Sequence, residues 1–174
     1  PGGGGARNEW AVIDPGPEDP AHTERILAAA PGPIRLILVT HTHHDHSPGA
    51  VLLEARTGAP VAGRVADHTQ NQDPTFAPER VLRHDERVDI SDGVALRVVH
   101  TPGHASNHLC FLLESERLLF TGDHLMQGST VVIGPPDGDM GAYLTSLRGL
   151  LALDLEWLAP AHGFMVGQPV QMIE

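Results

Sequence analysis

Apolar positions along this chain follow two periods, and the switches between them mark out the elements. Ile34-Arg35-Leu36-Ile37-Leu38-Val39 is short, nearly continuous and β-branched, the pattern of a buried strand. Residues 9–14 read as an earlier strand, ended by Pro15-Gly16-Pro17. Between the two, Asp19-Pro20 pairs an N-cap residue with a proline at the first helical position. Ile26, Leu27 and Ala30 then fall on one face, so a helix is expected to about Ala30, stopped by Pro31-Gly32-Pro33. Residues 47–56 predict a second helix, ended by Gly58, and residues 60–63 a short strand. Residues 64–84 are polar and broken by Pro74 and Pro78, and are expected to form a loop over the site.

The second half alternates more plainly. Residues 87–90 and 94–100 flank Ser91-Asp92-Gly93, a hairpin turn, and a second hairpin joins residues 108–114 to 118–121. Residues 130–133 read as a short strand and Pro135-Pro136-Asp137-Gly138 as a loop. Residues 139–153 predict an amphipathic helix with Met140, Tyr143, Leu144, Leu147, Leu150 and Leu151 on its apolar side. Residues 157–161 form the last expected strand. Strands and helices mixed in this order suit two packed sheets with helices outside. A single domain spanning residues 1–174 is expected, with Pro1-Gly2-Gly3-Gly4-Gly5 as a flexible stub.

The strand at Ile34 runs straight into Thr40-His41-Thr42-His43-His44-Asp45-His46. Imidazole and carboxylate are ligands that zinc and other first-row metals accept, and four such groups this close suit a metal site better than a core. His104, Asp123 and His162 follow downstream, each just after a predicted strand.

These residues resemble the signature of the metallo-beta-lactamase fold superfamily: H-x-H-x-D-H at a strand end, then a lone His, an Asp and a His. The likeness runs from about Trp10 to Val166. Within the superfamily the chain resembles the small bacterial hydrolases grouped with beta-lactamase-like protein two, on Ala11-Val12-Ile13-Asp14-Pro15-Gly16 and Gly128-Ser129-Thr130-Val131-Val132. The resemblance implies an α/β (αββα) four-layer sandwich of two mixed sheets with helices outside. The family usually opens with a further strand or two before the Trp10 strand, so N-terminal strands are expected to be missing.

His41 and His43 are two apart, so an extended backbone points both to one side. His104 would complete a three-histidine site, leaving a fourth position for water. Asp45, His46 and His162 would hold a second metal, and Asp123 could bridge the two, as the resemblance implies. Two zinc ions per chain are expected, with iron or manganese accepted by the same ligands. A pair about 3.5–4 Å apart lowers the pKa of a shared water, so a bridging hydroxide would be the nucleophile. Asp45 is the expected catalytic residue, orienting that hydroxide and passing on its proton. His44 would point away from the ligands. His108 and His124 are expected as donors behind the ligands; His22, His68, His84 and His100 as surface or structural groups. Asp14 is expected to stabilise a turn, Thr40, Gly103 and Gly122 to shape the ligand loops, and Tyr143 to pack in the core.

The resemblance also narrows the chemistry. Asp123 stands where true class B1 beta-lactamases carry a cysteine. His124-Leu125-Met126 replaces the tyrosine expected after the bridging Asp of acyl-homoserine lactonases. His43 departs from the Glu of flavodiiron proteins, and a complete second site departs from persulfide dioxygenases. The glutathione-gripping helical extension of hydroxyacylglutathione hydrolases is not seen before Glu174. A small ester, thioester or lactone is therefore the expected substrate, in a narrow apolar pocket near His68–Phe76. The alternative is an endoribonuclease acting on single-stranded RNA.

Charge bears on that alternative. The 174 residues carry a formal charge of -11, with 11 Lys plus Arg scattered singly and 4% aromatic residues, so no basic patch interleaved with aromatics offers itself to a phosphate backbone. General nucleic-acid binding and membrane association are not expected, since no apolar run approaches membrane-spanning length. The only cysteine, Cys110, cannot make an internal disulfide and is expected buried, which fits the cytoplasm. The expected partner is a small-molecule substrate, and the expected assembly a homodimer.

Overall fold

The structure, a computed structural model, describes residues 9–174; the expected stub Pro1-Gly2-Gly3-Gly4-Gly5 lies outside them. The first sheet is built from β1 (Trp10–Ile13), β2 (Ile34–Leu38), β3 (Val61–Gly63) and β4 (Arg80–Val81), in that spatial order. The second holds β5 (Arg87–Ser91), β6 (Val94–His100), β7 (Leu109–Leu113), β8 (Leu118–Gly122) and β9 (Trp157–Pro160). The helices are α1 (Pro20–Ala29), α2 (Gly49–Thr57), α3 (Met140–Leu150) and α4 (Pro169–Ile173).

Strand alternation sorts the apolar residues into three layers. Leu36 and Leu38 of β2 face Val98, Leu109 and Phe111 across the space between the sheets. Ile37 and Val39 point the other way, onto Leu53 of α2 and Ile26 and Leu27 of α1. On the far side Val99, Cys110, Leu112 and Leu119 pack under Leu147 and Leu150 of α3. Helix, sheet, sheet and helix therefore follow in order, as expected. Asp19 caps α1 by accepting from Ala21 N at 2.8 Å, and Gly58 ends α2 at φ 67.

Four expectations are corrected. The described first sheet is wholly parallel, and only the second is mixed, through the parallel pairing of β8 with β9. Residues 130–133 form no strand; they are irregular chain with Val132 turned to solvent. The helix expected to Leu153 ends at Leu150, and Met140, Leu144 and Leu151 are exposed, because only the face bearing Leu147 and Leu150 meets the sheet. The segment 64–84 contains β4, a two-residue strand with both residues exposed, too short for any hydrophobic period to reveal. Helix α4, five residues long, is likewise too short to announce itself by period.

Candidate metal centre

Each ligand candidate leaves the end of a strand, where the ladder stops and the chain turns. His41 to His46 follow β2, His104 follows β6, Asp123 follows β8 and His162 follows β9. All seven meet at one edge of the sandwich, in overlapping groups: His41, His43 and His104; His41, His46 and Asp123; Asp45, His46 and His162.

The inner group is tight. His104 Nε2 lies 3.3 Å from His41 Nε2 and 3.0 Å from His43 Nδ1. His41 and His104 are 1% and 7% exposed. The outer group is open: His46 Nε2 is 3.6 Å from Asp45 Oδ2, and His162 Nε2 is 3.3 Å from the same oxygen. The side chains of Asp45 and His162 are 59% and 45% exposed. Asp123 reaches both groups, with Oδ2 3.4 Å from His46 Nε2 and 3.7 Å from His104 Nε2, and Oδ1 3.5 Å from His162 Nε2.

Proton placement shows what this arrangement suits. Thr40 N and Thr40 Oγ1 both donate to Asp14, so the Thr40 oxygen is left to accept from His41 Nδ1. His46 Nδ1 donates to Asp14 Oδ2 at 2.9 Å, and His104 Nδ1 to Val132 O at 2.6 Å. Each of these three rings thus has its outward nitrogen occupied and presents the other inward. Burial, with neighbouring imidazoles, holds the pKa of His41 well below 6.5 and that of His43 at about 4. Bare nitrogens 3.0 Å apart repel unless a cation lies among them. Burial also works against a charged His46, yet the Asp123 and Asp14 carboxylates lift it to about 10. Against the same opposition from burial, His46 holds Asp123 below its ordinary range. His46 Nε2 and Asp123 Oδ1 are buried without a hydrogen-bond partner. Inward lone pairs, orphaned buried donor atoms and three carboxylate oxygens facing them fit a divalent metal pair.

The supporting residues were only partly foreseen. Asp14 does more than stabilise a turn, since it orients both Thr40 and His46. His108 stands behind the site as an acceptor, taking Asp123 N–H at Nε2 (3.1 Å) while Nδ1 meets Thr101. His124 is buried with neither ring nitrogen partnered among the described residues, so it does not orient a ligand. Its ring lies against Tyr143, whose hydroxyl donates to His124 O. Gly103 and Gly122 shape the ligand turns as expected. A Cβ on Gly103 would come within 2.3 Å of Tyr143 Cα, and one on Gly122 within 2.7 Å of His108 Nε2. His44 is exposed and outside every group, as are His68 and His84.

Two cavities flank the centre. One, of about 550 Å³, lies along Asp45, His46 and His162 and includes His22, read from the sequence as merely surface or structural. The other, of about 390 Å³, opens beside His43 and His104. Near His68–Phe76, where an apolar pocket was expected, the cavity beside the centre is lined by polar residues. That segment gives the second cavity the polar Gln70 and Asn71, while Phe76 packs beneath α2. Buried Gln72, Asp73, Asn107 and Asp137, with half-buried Ser106, form a polar web around these walls that has no counterpart among the sequence expectations, because nothing in a polar loop sequence separates buried from solvated residues.

The metallo-beta-lactamase superfamily profile matches residues 5–162. Lactamase-like protein aptB of Emericella nidulans is 37% identical over 134 residues, covering 76% of this chain and 40% of that protein. The Beta-lactamase-like protein 2 homolog of Drosophila melanogaster is 31% identical over 181 residues, covering 98% of this chain and 60% of that one. The chain therefore spans 40% to 60% of the length of these curated relatives. A metallo-beta-lactamase family protein from Thermus thermophilus superposes with a TM-score of 0.81 at 23% identity, covering 95% of this chain and 69% of that one. TTHA1623, solved in a di-iron-bound form, gives a TM-score of 0.76 at 26% identity, covering 91% and 84% of the two chains.

Proposed function

This chain belongs to the metallo-beta-lactamase superfamily, and from that premise we propose that it is a dinuclear metal-dependent hydrolase of a small ester, thioester or lactone, with zinc as its metal. The observation that carries the reading is the convergence of seven metal-ligand side chains at one edge, with His46 Nε2 and Asp123 Oδ1 buried there without a hydrogen-bond partner. His41 Nε2, His43 Nδ1 and His104 Nε2 would hold one ion, and Asp45, His46 and His162 the other, with Asp123 facing both. Bound there, the pair would supply a water acidic enough to attack near neutral pH and a Lewis acid for the substrate oxygen. Iron and manganese accept the same donors.

The chain's own groups do the rest. Asp14 fixes the His46 ring and, through Thr40, the His41 ring, so the donor atoms need no reorganisation when substrate arrives. Asp45 is the exposed carboxylate at the open side of the centre, placed to take a proton from the attacking water and hand it to the leaving group. Cys110 cannot serve as nucleophile, because burial pushes its thiol up to about 12.

The cavities favour a small substrate. No arginine among the described residues lines either one, and the chain has no lysine. A phosphate chain leaving the centre would meet no arginine or lysine in these cavities and a net charge of -11. The test is hydrolysis of ester, thioester and lactone panels by metal-loaded protein, with labelled single-stranded RNA in parallel and Asp45→Asn as control. Turnover of an acyl substrate that falls by about 10²-fold or more in the variant is expected. RNA cleavage lost in the variant, with no acyl turnover, would make the endoribonuclease the correct reading.

A further inference from the structure

The cavity beside His43 has walls from two distant parts of the chain. One carries Gln70 and Asn71, the other Gly134, Pro135 and Pro136. They are joined by a single buried hydrogen bond, in which Gln72 Nε2 donates to Asp137 Oδ2 at 3.0 Å. Asp137 is 8% exposed, and its carboxylate also accepts from Ser106 N at 3.1 Å and from Ser106 Oγ.

Both ends of this bond run on to the histidine cluster. Gln72 Oε1 accepts from Thr42 Oγ1 at 2.5 Å, and Thr42 stands between His41 and His43. Ser106 lies two residues past His104. The loop that ends at Asp137 also supplies Val132 O, the acceptor for His104 Nδ1. Hydrogen bonds to a carboxylate are short and directional, and those with buried partners resist exchange with water. A side-chain amide used at both ends has little freedom left.

We propose that Gln72 and Asp137 form a clamp that positions the three-histidine cluster and sets the width of the cavity next to it. Both are positioning residues, acting through Thr42, Ser106 and the Val132 carbonyl. The proposal rests on the metal-site reading above. A bond that merely ties two loops together would lower the melting temperature and leave the two metal affinities in their original ratio. A clamp on one cluster separates them.

The experiment is equilibrium titration of metal-free protein with zinc against a chromophoric chelator, for wild type, Asp137→Ala, Gln72→Met and the double variant. Wild type is expected to take two ions. Each single variant should weaken one binding step by about tenfold or more and leave the other at its wild-type value. The double variant should be no weaker than the weaker single, because both changes break the same link. Ser106→Ala, which removes one donor only, should show a smaller loss at the same step and serves if Asp137→Ala does not fold. Two steps weakened alike, variants indistinguishable from wild type, or losses that multiply in the double variant would each overturn the clamp. Wild type that binds no zinc would overturn the metal-site reading, and the clamp with it.

Discussion

The histidines whose outward nitrogens are occupied by Asp14, Thr40 and Val132 present their second nitrogens inward. His41, His43, His108 and His124 are held below their ordinary value, chiefly by burial, His43 at about 4 and His124 at about 3. In metal-free protein the unfolded chain binds more protons at these positions, so stability falls as pH drops below about 6.5. His46 works in the opposite sense. Burial opposes its charge, but Asp123 and Asp14 raise it to about 10, so its contribution is full below about 6.5 and lost as pH rises through 10. Urea unfolding of the metal-free protein should therefore show greatest stability near neutrality, with an alkaline decline that moves to lower pH in Asp14→Asn. An unmoved alkaline limb would remove Asp14 from the account of His46.

At the scale of elements, the ends of β2, β6, β8 and β9 place the ligands, and at Gly103, Gly122 and Gly163 the turns leave no room for a side chain. Gly122 ends β8 at φ 49, and a Cβ on it would sit 2.7 Å from His108 Nε2 and 2.8 Å from Thr40 Oγ1. Gly122→Ala should cost about 2–4 kcal/mol, from left-handed strain together with overlap, read as a lower urea midpoint. A change below about 0.5 kcal/mol would show that the turn relaxes freely. Most of this framework could be read from the chain. The run from Ile34, the Asp19-Pro20 start, the Gly58 stop and the two hairpins announce themselves by period and punctuation. The ligands were legible because histidines so closely spaced after a strand have few other uses. Residues 130–133 were misread because Thr130, Val131, Val132 and Ile133 carry strand propensity without a neighbouring strand to pair with. The polar web of Gln72, Asp73, Asn107 and Asp137 left no trace, since its burial is decided by loops packing against each other.

Across the whole molecule the two sheets and their outer helices act as a rigid frame that brings four chain segments, spread from His41 to His162, to one edge. No helix among the described residues is long and apolar enough to cross a membrane. The edge is where charge, burial and shape agree: an inner cluster of buried imidazoles, an outer cluster open to solvent, and cavities without arginine on either side. Under the proposed function, this edge hydrolyses an acyl substrate only when it holds two metal ions. The measurement that bears on it most directly is hydrolysis of a small ester while zinc is added stepwise to metal-free protein. Activity should be absent at first and level off at two equivalents per chain. Activity that is present without metal, or that never appears once two ions are bound across the ester, thioester and lactone panel, would contradict it.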